Sequence, residues 1–205
     1  MATTRIMSIH INKGKTARQC ITARLDYITN PDKTDHGLLI SSHACSPQAA
    51  ADEFMLCRSE YQSRTGRSNA NEVIAYHVRQ AFKPGEITPE EANAVGMELA
   101  RGITGDRYAY VVATHIDKHH VHNHILICST DLEGRHKYRD VKGSGKDLAR
   151  LSDEICRKHG LSVIQVPKEK AQTYDKWQGK HKQTCITQSM RFCRICKAEK
   201  TSQPL

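Results

Sequence analysis

The chain has 205 residues, 38% of them hydrophobic and 26% charged, with a formal net charge of +9. That length accommodates one domain with a sizeable core and leaves room for an appendage. No apolar run is long enough to span a bilayer, and Met1 to Lys15 lacks the hydrophobic middle of a secretory signal, so membrane insertion is excluded and a cytoplasmic protein is expected.

Arg5 to Ile11 alternates as a strand, and Asn12-Lys13-Gly14-Lys15 turns the chain. Thr16 caps a helix that Asn30-Pro31 ends near Thr29, with Ala17, Ile21, Leu25 and Ile28 as its apolar stripe. At about 100° per residue Tyr27 projects roughly 120° away from that stripe, so it is not an obvious core residue. Leu38-Leu39-Ile40 reads as a short edge strand. Ser46-Pro47 opens a second helix carrying Ala50, Phe54, Cys57 and Tyr61, with Gly66 past its end. Glu72 to Phe82 alternates as a strand, with Ile74, Tyr76, Val78 and Phe82 on one face and Val73, Ala75, His77 and Arg79 on the other. Thr88-Pro89-Glu90-Glu91 is a capping box that starts a helix to about Arg101-Gly102. After a β-hairpin, a polar stretch leads from Asp131 to Lys142. Ser144 to His159 then forms a helix closed by Gly160, and Leu161 to Val166 a last strand.

This order mixes hairpin and crossover connections, which predicts an α+β fold: one central, mostly antiparallel sheet of about five strands with helices packed against it. The domain is expected over residues 1–167, and residues 168–205 read as a basic, mobile tail. From Lys168 onward nine Lys/Arg face three Asp/Glu, which gives +6 and leaves +3 for residues 1–167. Within the domain, local basic bias sits in the first 25 residues and around Arg135, Lys137, Arg139 and Lys142, a distribution that suits a phosphate backbone over part of the surface as well as it suits ordinary solvation. Of eight cysteines, the first five are widely spaced in apolar patterns and read as buried, reduced thiols. Cys193 and Cys196, with Cys185 and His181, form a weak zinc pattern.

The hairpin carries the chemistry. Ala109 to Cys128 holds five of the twelve histidines, flanked by runs of Val, Ile, Thr and Tyr. With the turn around Lys118 to His120, the period of two puts His122 and His124 on one face with His115 opposite them. Three imidazoles converging on one point bind divalent metals well, leave coordination positions open, and have Asp117 nearby to orient a ligand. His120 shares strand parity with His122 and His124 and remains an alternative ligand. An open cation beside basic segments points to phosphate chemistry, with a metal-activated water or a tyrosine as nucleophile.

These residues carry a resemblance. His115-x-Asp117-x-x-His120-x-His122-Asn123-His124, followed by an apolar strand, resembles the third motif of MobP-type conjugative and mobilisation relaxases of the HUH endonuclease superfamily. Ala23-Arg24-Leu25-Asp26-Tyr27-Ile28-Thr29-Asn30-Pro31-Asp32-Lys33-Thr34 is similar to the family's first motif, which holds its catalytic tyrosine. Tyr76 to Glu86 matches a segment where many relatives have Ser-Phe; Ala81 stands here in place of that serine. The likeness spans about residues 5 to 167. Relatives continue into a long helical region, whereas this chain ends soon after Tyr174-Asp175-Lys176-Trp177, which implies a compact or truncated form, or that those functions lie elsewhere.

The resemblance implies an HUH-like fold and a metal-dependent endonuclease that nicks one strand at a transfer origin. Tyr27 would attack the phosphate and become linked to the 5′ end. His115, His122 and His124 would hold Mg2+ or Mn2+, with Asp117 orienting a ligand or accepting the tyrosine proton. Arg24, Lys33, Arg79, Lys118, Arg139 and Lys142 are the candidate DNA contacts. Implied partners are single-stranded and hairpin DNA at the origin, relaxosome accessory proteins and a type IV secretion coupling protein, in the cytoplasm of a bacterium. Two other readings remain: a rolling-circle replication initiator with the same chemistry, and a non-catalytic DNA-binding protein with a structural metal site.

Overall fold

A computed structural model describes residues 2–163 except 68 and 70. The described residues fall within one compact unit. The tail, its zinc pattern and the second half of the expected last strand lie outside the described residues.

In chain order the elements are β1 (Thr3–His10), α1 (Ala17–Ile28), β2 (Ile40–His43), α2 (Ala50–Thr65), β3 (Val73–Ala81), α3 (Pro89–Thr104), β4 (Tyr108–His115), β5 (His122–Asp131) and α4 (Ser144–Lys158). The five strands make one sheet in the order β1-β3-β5-β4-β2, and every neighbouring pair is antiparallel. The α+β architecture expected from the sequence is therefore the one observed, with helices on both faces of the sheet.

Alternation along the strands explains both faces. Tyr108, Tyr110 and Val112 of β4 and Ile125 and Ile127 of β5 pack with Val95 and Leu99 of α3 and Leu148 and Ile155 of α4. The intervening Ala109, Val111, Ala113, Leu126 and Cys128 pack with Ile21, Leu25 and Ile28 of α1 and Phe54 of α2. Both faces are dry, so the central strands read as nearly continuous apolar runs. Burying each large aliphatic side chain contributes about 1.5–3 kcal/mol.

Caps set several boundaries. Thr16 and Thr88 each form a complete capping box, and Gly105 ends α3 in the left-handed region at φ 58. Some elements differ from expectation. Helix α2 starts at Ala50, because Ser46 and Ala49 close a tight turn in which the Ala49 N–H meets both the Ser46 carbonyl at 3.1 Å and its hydroxyl at 3.2 Å. The short edge strand lies at Ile40–His43, a few residues later than the apolar Leu38-Leu39. Leu39 itself is buried, and its carbonyl accepts the Thr114 N–H at 3.0 Å. Leu161 to Val163 form no strand. All five cysteines among the described residues are free thiols, three of them buried.

Candidate metal and tyrosine site

The site grows out of the β4–β5 hairpin. His115 pairs with His122 and Ala113 with His124, so the three imidazoles project from the α1/α2 face of the sheet next to the turn that closes the hairpin. One nitrogen from each of His115, His122 and His124 lies within 4.8 Å of the others. Ligand atoms around a single transition-metal ion sit about 3–4 Å apart, so small ring rotations suffice to close the set.

The remaining nitrogens are spoken for. His115 Nε2–H donates to the Ile28 carbonyl at 2.8 Å, and His122 Nδ1–H to the His120 carbonyl at 3.3 Å. His124 Nδ1 meets His77 Nε2 at 2.8 Å. Left over are His115 Nδ1 and His124 Nε2, both buried without a hydrogen-bond partner. Buried polar nitrogens without partners are costly, and a divalent cation bound to their lone pairs would satisfy them while the opposite nitrogens fix each tautomer. The donor set fits a divalent metal.

Burial is the main reason these imidazoles stay neutral. It pushes His77 down to about 3 and His124 down to about 2, with neighbouring histidines and Arg79 adding to the effect, and it lowers His115 and His122 as well. A group whose folded pKa lies below its unfolded value near 6.5 gives stability that is present above that value and lost as the pH falls through it. Metal-free protein is thus expected to lose about 1–3 kcal/mol of stability per pH unit below pH 6, because the unfolded chain takes up protons that the buried His77–His124 pair does not. Urea titrations in chelator between pH 7 and pH 4 measure this slope; a flat profile would contradict it.

Tyr27 sits on the last turn of α1 and is 46% exposed. Its ring centroid lies 5.6 Å from that of His124 and 5.9 Å from that of His115, and Lys33 Nζ stands 4.3 Å over it. Because His115 holds the carbonyl of Ile28, the residue after Tyr27, one imidazole ties the helix end to the histidine cluster. The Ile116 N–H donates to the Lys33 carbonyl at 2.9 Å, which brings the loop after α1 alongside.

Other sequence candidates divide into two groups. Asp117 lies near His115 and His122, and Lys118 Nζ is 3.8 Å from its carboxylate. Arg79 is opposite His124 on β3, and Arg24 of α1 lies near His77. Arg139 and Lys142 are not brought to the histidines. They follow the far end of β5, where the Tyr138 N–H donates to the Ser129 carbonyl, roughly 20 Å along the strand from His122. Arg139 instead lines an open cavity of about 650 Å3 with Tyr61, Tyr76 and Tyr138. His120 stands outside the three-nitrogen cluster, its ring 5.2 Å from that of His122, and His119 is exposed. From the sequence His77, like Arg79, could equally line the site from a neighbouring strand or stand on a partly solvated sheet face. Its contact with His124 depends on β3 lying beside β5, which no local pattern announces.

The relaxase nuclease domain of the MobA/VirD2-like type matches residues 27–161. The chain belongs to this family. Among curated relatives, a protein rlx of Staphylococcus aureus is 41% identical over 59% of this chain and 36% of its own length. The group II intron-interrupted relaxase LtrB of Lactococcus lactis is 29% identical over 77% of this chain and 34% of its own. The chain thus spans about a third of the length of these relaxases. Among solved structures, the MobM relaxase domain, Mn-bound and in complex with plasmid pMV158 oriT DNA, superposes with a TM-score of 0.53 at 10% identity, covering 87% of this chain and 98% of that one. The fold is accordingly that of a relaxase domain. Among the described residues no helix is long and apolar enough to cross a membrane.

Proposed function

We propose that this relaxase domain nicks one DNA strand at a transfer origin by attack of the Tyr27 hydroxyl on a phosphodiester. The observation that carries the reading is an exposed phenol whose ring lies within 6 Å of two imidazoles that each keep a buried, unpartnered nitrogen. In the reaction the Tyr27 oxygen bonds to phosphorus and the bond from phosphorus to the 3′ oxygen breaks. The tyrosine proton passes to Asp117 or to water, and the departing 3′ oxygen takes one up. One phosphodiester replaces another, so no co-reactant is consumed and the step is reversible.

His115, His122 and His124 would hold Mg2+ or Mn2+, which supplies charge stabilisation at the phosphate. Lys33 stands over the tyrosine ring, Arg24 and Arg79 lie by the histidines and Lys118 by Asp117, and all four would position the backbone, while Arg139 and Lys142 would meet DNA only beyond it. A relative named as a relaxase and a structural neighbour bound to oriT DNA support this assignment. Accessory relaxosome proteins and a secretion coupling protein in a bacterial cytoplasm complete the proposal.

The test is a covalent-adduct assay with a labelled single strand carrying the element's own transfer origin. Wild-type protein with Mn2+ is expected to give a band that survives denaturation and is sensitive to protease. Excess chelator should remove it. A chain that binds the strand yet forms no adduct with any divalent metal would leave a DNA-binding protein with a structural metal site.

A further inference from the structure

One row of side chains behind the histidines breaks the apolar pattern. Gln80 of β3, Asn123 of β5 and Thr114 of β4 stand in register across three adjacent strands on the α3/α4 face, where neighbouring positions hold Val78, Ile125 and Val112. All three are fully buried. Asn123 alternates with His122 and His124, and Thr114 directly precedes His115.

Every member of the row is hydrogen-bonded. The Asn123 amide donates to the Ala92 carbonyl of α3 at 2.6 Å and to Gln80 Oε1 at 3.1 Å, and its oxygen accepts from the Thr114 hydroxyl at 2.8 Å. Gln80 Nε2 donates to Ser152 of α4 at 2.9 Å, and Asn93 of α3 donates to Thr114 Oγ1 at 3.1 Å and to the Leu39 carbonyl at 2.9 Å. The network therefore ties both helices, the central strands and the chain entering β2 to one level of the sheet. That level is where His115 and His122 pair. Helix α3 approaches so closely that a Cβ on Gly96 would lie 2.6 Å from Asn123 Nδ2 and 2.9 Å from Val112 Cγ1, so glycine is what allows the amide to sit there.

Burying five polar side chains where aliphatics would pack is unfavourable unless they specify something, because transfer into a dry interior is offset only by complete pairing. A one-residue slip of β5 would turn His122 and His124 to the opposite face, and one of β4 would turn His115. An apolar row resists such a slip, or a smaller shift in strand spacing, less specifically than directional bonds do. We propose that Asn123, Thr114 and Gln80 are positioning residues that set the spacing of His115, His122 and His124 from the reverse face of the sheet. This rests on the reading of those histidines as a metal site.

An isosteric pair separates hydrogen bonding from shape. Thr114→Val keeps the volume and removes the hydroxyl; Thr114→Ser keeps the hydroxyl and removes a methyl. Calorimetric titration with Mn2+, together with the visible spectrum of the Co2+-loaded chain, reads ligand geometry without any need for turnover. Thr114→Val, Asn123→Leu and Gly96→Ala are expected to weaken Mn2+ binding about 10-fold or more and to alter the Co2+ bands, while Thr114→Ser stays close to wild type. Leu99→Ala, a core truncation on the same face without polar contacts, should lower the melting temperature and leave the affinity within about two-fold. Equal Mn2+ affinity in Thr114→Val and wild type overturns the proposal, as does affinity that simply follows melting temperature through Leu99→Ala. A wild-type chain that takes up neither ion overturns the metal reading and, with it, this one.

Discussion

Tyr27→Phe is expected to bind transfer-origin DNA as the wild type does and to form no covalent adduct. The substitution removes one oxygen and leaves the ring against His115, His124 and the Lys33 ammonium. Tyr27 makes no hydrogen bond among the described residues and is half exposed, so the stability change should stay within about 0.5 kcal/mol. The proposed chemistry, by contrast, loses its nucleophile outright. The other described tyrosines are poor substitutes. Tyr76, Tyr108 and Tyr110 are buried in the sheet, and burial, with nearby carboxylates adding to it, pushes the Tyr110 and Tyr138 phenols up to about 12. Electrophoresis of labelled strand under denaturing conditions, paired with anisotropy titration of the same strand, gives both readouts. An adduct persisting in the variant would mean that another group attacks the phosphate.

The parts of this molecule that could be read from its sequence are those governed by local periodicity. Alternation along Tyr108 to Asp131 was enough to place His122 and His124 on one face with His115 across from them, because a hairpin with a short turn leaves little freedom of register. The helical repeat of α1 set Tyr27 off the apolar stripe, and the structure leaves it exposed. What could not be read depends on which strands become neighbours. Strand β3 enters the sheet between β1 and β5, and only this places His77 behind His124 and Gln80 beside Asn123. Arg139 and Lys142 illustrate the converse. They follow the histidine hairpin in sequence, yet β5 carries the chain away from the site before they occur. Asn123 was visible within the histidine motif, but its role comes from Gly96 and Ala92 on a helix folded over the opposite face.

The choice between His120 and its neighbours as a ligand leads to a second large effect. His124→Ala is expected to weaken Mn2+ binding at least about 100-fold, and His120→Ala only a few-fold. His124 contributes a buried nitrogen with no protein partner and belongs to the cluster spanning 4.8 Å, whereas His120 lies outside that cluster. The support that His120 gives is the carbonyl that accepts the His122 Nδ1–H, and alanine retains that carbonyl. Because His124→Ala also strips His77 Nε2 of its partner, the titrations should be run well below the melting temperature of each variant, with circular dichroism to show that the fold is kept. Equal losses at the two positions would move His120 into the ligand set and require the turn to close further over the site. His115→Ala should stand apart from both. It removes a proposed ligand nitrogen and also frees the Ile28 carbonyl at the end of α1, so its adduct yield should remain low even when Mn2+ is raised to saturate the remaining histidines.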